Sequence, residues 1–513
     1  MIEPNIGKIT GPPGCGKSTE IMRLILRACD KYFPNEIGAV SFTSAAVEEI
    51  RTRIARTAKI DKNVIKNVRT LHSHCFRLLG LSKTDVAESH MAEFNEAYPQ
   101  YRISISSEDI PDEKDFMLDK KIRRNEVCFN EMQIMRNRLM PVGKWHPDTR
   151  VIYEKWCRWM KESKYIDFTG MLEQVLEREL IPPIRILFVD EAQDLTPLQY
   201  AIIKIWSVNT VSTIYAGDSD QCIFRFSGSV PEAFIDLQHG WRKHLDQSYR
   251  VSPAIHAYSM IVNKQIKNRE STEYNPTLSY GDGKVMSVDL PDLTLTGTHM
   301  IITRCNFQVK RWINFLKIRN LLWHNPYRPG NLYWNPTSTI AWQVLSIYKR
   351  LISGNMVSVN ELALLVSKTI AAGNMKRGAK SAFDRNANKD EYDLFDLSQL
   401  GFENNFIDDT LPLEKKFRLS GVATPMLYAC YKMEHTPKPN IIIGTIHSVK
   451  GGEADHVWLD TGITGLIMAG MKRDPNFLYD EARVAYVAVT RARQTLGLIK
   501  SNFRNPILRI LSK

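Results

Sequence analysis

Gly11-Pro-Pro-Gly-Cys-Gly-Lys-Ser18 decides how the rest of this chain is read, because it satisfies every fixed position of G-x-x-x-x-G-K-[ST]. Its flanks agree. Ile6 to Thr10 reads as a short strand ahead of the octapeptide. Ser18 to Cys29, with Ile21, Leu24, Ile25 and Ala28 on one face, reads as the helix behind it. Phosphates need this geometry: glycines let successive backbone N–H groups converge on an anion, and the helix N-terminus adds a partial positive charge. Gly11, Pro12, Pro13, Gly14, Cys15, Gly16 and Thr19 are therefore expected to cradle the phosphates of a nucleotide, ATP being the expected one. Lys17 would reach the β- and γ-phosphates, and the Ser18 hydroxyl would hold Mg²⁺.

A phosphate loop needs an acidic partner on a neighbouring strand. Ile184-Arg-Ile-Leu-Phe-Val189 is an apolar, β-branched run of the kind that forms a buried parallel strand. It delivers Asp190-Glu191-Ala-Gln193-Asp194 at its C-terminal end, where ligands sit in open α/β sheets. Asp190 would hold the metal through water, and Glu191 would activate the water that attacks the γ-phosphate. The two segments together imply nucleotide hydrolysis and leave open what the energy does.

Bulk properties narrow the partners. At 513 residues the chain has room for roughly three to four domains. Its composition, 43% hydrophobic and 24% charged, is that of a globular protein with ample core. No apolar run approaches the roughly 18 residues of a membrane span. Met1 to Thr10 has no apolar signal-peptide centre, so a cytoplasmic protein is expected. The eight cysteines form no C-x-x-C pair and have no zinc spacing, which fits free thiols in a reducing compartment. A formal charge of +12 suits a polyanionic partner, since neutralising phosphates releases counterions.

A more specific likeness lies in the motifs. Asp190-Glu-Ala-Gln-Asp194, with Gln199, resembles the Walker B signature of superfamily-one helicases of the UvrD/Rep/PcrA family, and further segments resemble that family's motifs in its order. Ser41-Phe-Thr-Ser-Ala-Ala46 and Thr70-Leu-His-Ser-His-Cys75 resemble motifs Ia and Ib, which line the single-strand channel in relatives. Phe42 would stack on a base there, and Thr43, Thr70 and His72 would bond phosphates. Asp167-Phe-Thr-Gly-Met-Leu172 resembles the family's D-F-x-x-L-L segment. Ala216-Gly-Asp-Ser-Asp-Gln221, followed by Cys-Ile-Phe-Arg-Phe226, resembles motif III. That implies Gln221 on the γ-phosphate and attacking water, and Phe226 on a base; relatives usually have Trp at Phe226 and Arg at Ser227. Leu245-Asp-Gln-Ser-Tyr-Arg250 resembles motif IV, with Arg250 aimed at the γ-phosphate and Tyr249 at the nucleotide base. Gly444-Thr-Ile-His-Ser-Val-Lys-Gly-Gly-Glu453 resembles motif V, which implies Glu453 on the ribose and Thr445 and His447 on the strand. Its Lys450-Gly451-Gly452-Glu453 replaces the family's Lys-Gly-Leu-Glu, and the extra glycine is expected to loosen the loop. Glu481 to Arg491 resembles motif VI, making Arg491 a second arginine on the same phosphate. Arginine suits that role because its planar fork stays charged and bridges oxygens.

The resemblance implies an α/β fold of two RecA-like P-loop motor domains with parallel sheets, each carrying a mainly helical insertion. Residues 1–90 and 160–250 would form the first motor domain and 91–159 its insertion. Residues 251–330 and 438–513 would form the second, with 331–437 as a short insertion. Trp145, Trp156 and Trp159 are expected to be core, and the polar, basic stretch Gly373 to Lys389 a flexible loop. The implied activity is ATP-driven 3′-to-5′ movement on single-stranded DNA with duplex unwinding, by a monomer in the cytoplasm (a host's, for a phage protein), with a replication or repair protein as a possible partner. Stripping of proteins from single strands, or a scaffold with a vestigial ATPase, are the alternatives. Relatives read adenine with a glutamine some twenty residues ahead of the P-loop; ten residues precede Gly11 here and none is Gln, so hydrolysis is implied more strongly than strict preference for ATP.

Overall fold

The computed structural model describes residues 5–41, 44–59, 61–62, 65–103, 120–270, 273–386, 389–419, 424–432 and 440–500. The chain divides into two compact units, Met1–Asp292 with Arg304–Asn306 and Lys450–Lys513, and Leu293–Thr303 with Phe307–Val449.

The first unit is built on six parallel strands: β1 (Asn5–Thr10), β2 (Ile37–Val40), β3 (Val68–Arg69), β4 (Ile186–Val189), β5 (Ser212–Gly217) and β6 (Trp241–His244), in the order β3-β2-β4-β5-β1-β6. The central strands β2 and β4 are near-continuous apolar runs, as a sheet covered on both faces requires, whereas the edge strand β6 is polar and mostly exposed. Because successive side chains point to opposite faces, the central strands β2, β4 and β5 feed two cores. Phe188, Ile214 and Ala216 pack with Ile21 and Ile25 of helix α1 (Lys17–Cys29) and with Val47, Ile50 and Ile54 of α2 (Ser44–Ala58). Leu187, Val189 and Tyr215 pack on the other side, with residues that include Leu71 and Cys75 of α3 (Leu71–Leu78). On α1 Met22 is buried, whereas Leu24 is half-buried. All six strands run the same way, so the C-terminal ends of β1, β4 and β5 open on one edge.

The stretch read as an insertion is helical where it is described. Helices α4 (Met91–Ala97), α5 (Lys120–Asn137) and α6 (Pro147–Ser163) enclose Phe94, Phe129, Trp145, Trp156 and Trp159, so the three tryptophans are core as read. The chain then enters α7 (Phe168–Glu177), whose cap Asp167 accepts a hydrogen bond from Gly170 N–H at 2.6 Å. Helix α8 (Pro197–Val208) follows β4 and buries Leu198, Ile202 and Trp206.

Further strands are β7 (Lys284–Val288), β8 (His299–Thr303), β9 (Trp323–His324), β10 (Val357–Ser358), β11 (Glu391–Tyr392), β12 (Ile441–Thr445), β13 (Ala454–Asp460) and β14 (Ala492–Ile499). In the first unit β14 pairs in parallel with β7 and β13. The helix Pro475–Val489 leads into β14 and is buried continuously from Glu481 to Val489. In the second unit β12 pairs in parallel with β8 and β9, while β10 and β11 form an antiparallel pair. The remainder of that unit is mainly helical around Tyr348, Phe406 and Phe417. The stretch expected to be a flexible loop contains the helix Ala379–Asn386. Its basic composition hid a spacing of four between Ala379 and Phe383, both buried, which gives the helix an anchoring face. No helix among the described residues is long and apolar enough to cross a membrane.

Candidate nucleotide site

The phosphate loop follows β1 and is shaped by residues that tolerate left-handed backbone. Gly14 has φ 72° and Gly16 has φ 83°. Space forbids a side chain as well, since a Cβ on Gly14 would lie 2.5 Å from Cβ of Arg250. Lys17 is buried, and its ammonium donates to the carbonyls of Gly11 (2.7 Å) and Pro12 (3.0 Å). Burial works against its charge, but Cys15 and the carboxylates of Asp218, Glu191 and Asp190 together hold its pKa above the usual value.

Ser18 donates its hydroxyl proton to Asp190 Oδ2 at 2.9 Å, joining the start of α1 to the end of β4. Burial, and then the neighbouring Glu191, push the Asp190 carboxyl up to about 6. Glu191 moves the other way: burial opposes its charge, but Lys450 and Lys17 hold its carboxyl below the ordinary range. Two adjacent carboxylates are thereby split by their surroundings, which suits separate tasks. Glu191 also occupies left-handed backbone (φ 52°), strain that a functional site can hold. Gln193 fixes it, donating to Glu191 Oε2 at 2.5 Å while its own Oε1 accepts from Asp218 N–H at 2.9 Å.

In the turn after β5, Gln221 donates to Asp218 Oδ2 at 2.7 Å and accepts at Oε1 from Arg491 Nη2 at 3.1 Å. Arg491 is 1% exposed, and its other nitrogens donate to the carbonyls of Val487 (2.9 Å) and Gly452 (3.0 Å). The carbonyl of Gly452 thus ties its loop to Arg491. A hydroxyl–carboxyl pair, an ammonium beside a glycine-shaped anion cradle and two arginines fit a magnesium–nucleotide donor set. Mg²⁺ itself keeps most of its waters and needs only one or two protein carboxylates.

Two family models match this chain: the UvrD/REP helicase N-terminal domain over residues 5–241, and the UvrD-like helicase C-terminal domain over residues 407–502. The chain belongs to the UvrD/Rep helicase family. Among its relatives, YjcD of Bacillus subtilis (strain 168) is 26% identical over 253 residues, which is 46% of this chain and 33% of that protein. The ATP-dependent DNA helicase Rep of Buchnera aphidicola subsp. Baizongia pistaciae is 26% identical over 262 residues, 46% of this chain and 38% of that protein. A Mycoplasma genitalium protein named "Probable DNA helicase II homolog" is 21% identical over 576 aligned positions, 94% of this chain and 81% of that protein. The chain therefore spans well under half the length of the first two.

Within the UvrD/Rep frame the structure adds partners that no single motif announces. Lys450 donates to Asp194 Oδ2 and to the carbonyl of Gln221 (2.7 Å), and lies 4.0 Å from Glu191. Arg250 Nε pairs with Glu453 Oε2, and Arg493 Nη2 pairs with Glu453 Oε1. Lys450 and Asp194 both stood inside quoted motifs, so their types were visible and their pairing was not. Arg493 carried no signal beyond its place two residues after Arg491.

Of the residues read as strand contacts, Phe226 is 62% exposed and its ring lies tilted against Phe224, with centroids 5.9 Å apart. Thr70 caps α3 by accepting Ser73 N–H at 3.3 Å, and His72 lies half-buried, edge-on to Phe168 at 6.1 Å. Thr445 and His447 belong to the second unit; Thr445 is buried and its hydroxyl accepts Ser448 N–H at 3.3 Å. Phe42 and Thr43 lie outside the described residues. Tyr249 is 66% exposed, with its N–H on Gly14 O at 2.9 Å; Thr19 is also exposed.

Proposed function

We propose that this chain is an ATP-dependent motor that moves 3′-to-5′ along single-stranded DNA and unwinds the duplex ahead of it. The supporting observation is the direct bond between Arg491 and Gln221, which joins the residues after the helix Pro475–Val489 to the turn that follows β5. In this reading Lys17, Arg250 and Arg491 hold and polarise the γ-phosphate, and Glu191, kept ionised by Lys450 and Lys17, takes the proton of the attacking water. Ser18 directly and Asp190 through water would hold Mg²⁺, which when bound neutralises charge on the phosphates. Tyr249 would face the base and Glu453 the ribose. Phe226, Thr70, His72, Thr445 and His447, together with Phe42 and Thr43, would hold the strand. The motor domains are assigned to 1–90 with 160–250 and to 251–330 with 438–513, with insertions 91–159 and 331–437. The protein would act as a monomer in the cytoplasm.

The test is ATP hydrolysis by the purified chain with and without single-stranded DNA of defined lengths. Stimulation that grows with strand length supports a translocating motor; turnover indifferent to DNA removes that reading while leaving the nucleotide site in place.

A further inference from the structure

Glu453 holds two guanidinium groups at once, one on each carboxylate oxygen. Arg250, read above as a phosphate ligand, occupies Oε2, and Arg493 occupies Oε1. Arg493 is itself held in place: Nη1 donates to Asp455 Oδ1 at 3.3 Å, and the guanidinium lies over the ring of Tyr280, 5.7 Å from its centroid. Asp455 stands in β13 and Arg493 in the adjacent β14, so this second pair rests on sheet rather than on a loop. Arg250 has no comparable support from its side chain, and Glu453 is its hydrogen-bonding side-chain partner among the described residues.

The chemistry of the two pairs differs for that reason. An arginine engaged with a carboxylate is not available to a phosphate. If Arg250 leaves, the Glu453 carboxylate, about one third exposed, keeps a counter-charge only because Arg493 remains. Stripping a partly buried carboxylate of its partner is unfavourable, so a second fixed partner makes the departure of the first easier. Glu453 is held below the ordinary carboxylate range by Arg250 and Arg493 against the opposing effect of burial, as a permanently ionised hub requires.

Resting on the motor reading above, we infer that Arg493 is a positioning residue that anchors Glu453 and thereby releases Arg250 from Glu453 to the nucleotide's γ-phosphate. Without Arg493, Arg250 becomes the principal counter-charge of Glu453 and stays with it.

The experiment is steady-state ATP hydrolysis by the full chain on saturating single-stranded DNA, comparing wild type with R493A, R493K and the double variant E453Q/R493A. R493A lowers kcat about fivefold, the scale of one half-buried ion pair gained in the resting state. R493K recovers most of that loss. E453Q/R493A recovers kcat while its KM rises, because removing the Glu453 charge frees Arg250 but weakens the sugar contact. A merely structural role for Arg493 would make the double variant as slow as R493A or slower. A kcat for R493A within twofold of wild type, or a double variant no faster than R493A, overturns the inference alone. A wild type that does not hydrolyse ATP overturns the motor reading and this inference with it.

Discussion

Asp167→Asn tests the physical account of the first unit most directly. The carboxyl is fully buried and accepts from Arg136 Nη2 (3.0 Å), Trp156 Nε1 (2.9 Å), Gln133 Nε2 (3.1 Å) and Gly170 N–H (2.6 Å), with a further contact from Arg136 Nη1. One side chain thus caps α7, ties it to α5 and α6 and neutralises a buried arginine. The substitution keeps the shape and an oxygen for the cap but removes the charge. Losing one partner of a buried ion pair costs roughly 3–5 kcal/mol, and among the described residues the carboxylate left to Arg136 is the partly exposed Glu173. About 3 kcal/mol is therefore expected, a drop of several degrees in Tm. Burial opposes ionisation of Asp167, but Arg136 and the surrounding donors hold its pKa below the ordinary value. The stabilisation is therefore complete above the unfolded-state pKa and is lost as pH falls through the depressed folded one. Denaturant melts at pH 7 and in steps below pH 4 should show a gap between wild type and variant that closes on acidification. A loss under 1 kcal/mol at pH 7, or a gap independent of pH, would refute the reasoning.

Glu191→Gln should keep binding to single-stranded DNA while turnover falls by roughly 10²–10⁴-fold, and substantial residual hydrolysis would remove Glu191 as the base. Arg491→Ala should lower kcat by about 10³-fold with a much smaller change in nucleotide affinity; equal losses in rate and affinity would argue against a finger. Glu88 gives the opposite pH dependence to Asp167. Its Oε2 is buried without a hydrogen-bond partner among the described residues, and burial, then Asp167, push the carboxyl up to about 7. Its stabilising contribution is therefore complete below the unfolded pKa and lost as pH rises through about 7. Glu88→Gln should then exceed wild type in stability at pH 8 by on the order of 2 kcal/mol, with the difference fading toward pH 5, and a variant less stable at pH 8 would contradict this.

What the sequence by itself determined was whatever has a local physical code. Gly14 and Gly16 announce left-handed backbone beside a helix start, and that conformation is a property of the residues themselves. The run ending at Val189 announces a parallel strand because burial on both faces demands near-continuous apolar residues. The glycine-shaped loop, the strand ending at Val189 and the buried tryptophans were therefore legible, whereas Gln221, Arg250 and Arg491 were named only through resemblance to the family's motifs. The helix Ala379–Asn386 was missed because two apolar residues in a basic stretch are too weak a signal without the surface they bury against. Only the tertiary structure decided which charges meet. Lys450 finds Asp194, and Arg250 shares Glu453 with Arg493, across as many as 256 residues of chain. Which ammonium or guanidinium reaches which carboxylate depends on strand order, register and helix packing, and those follow from the whole buried core, not from any segment's own composition.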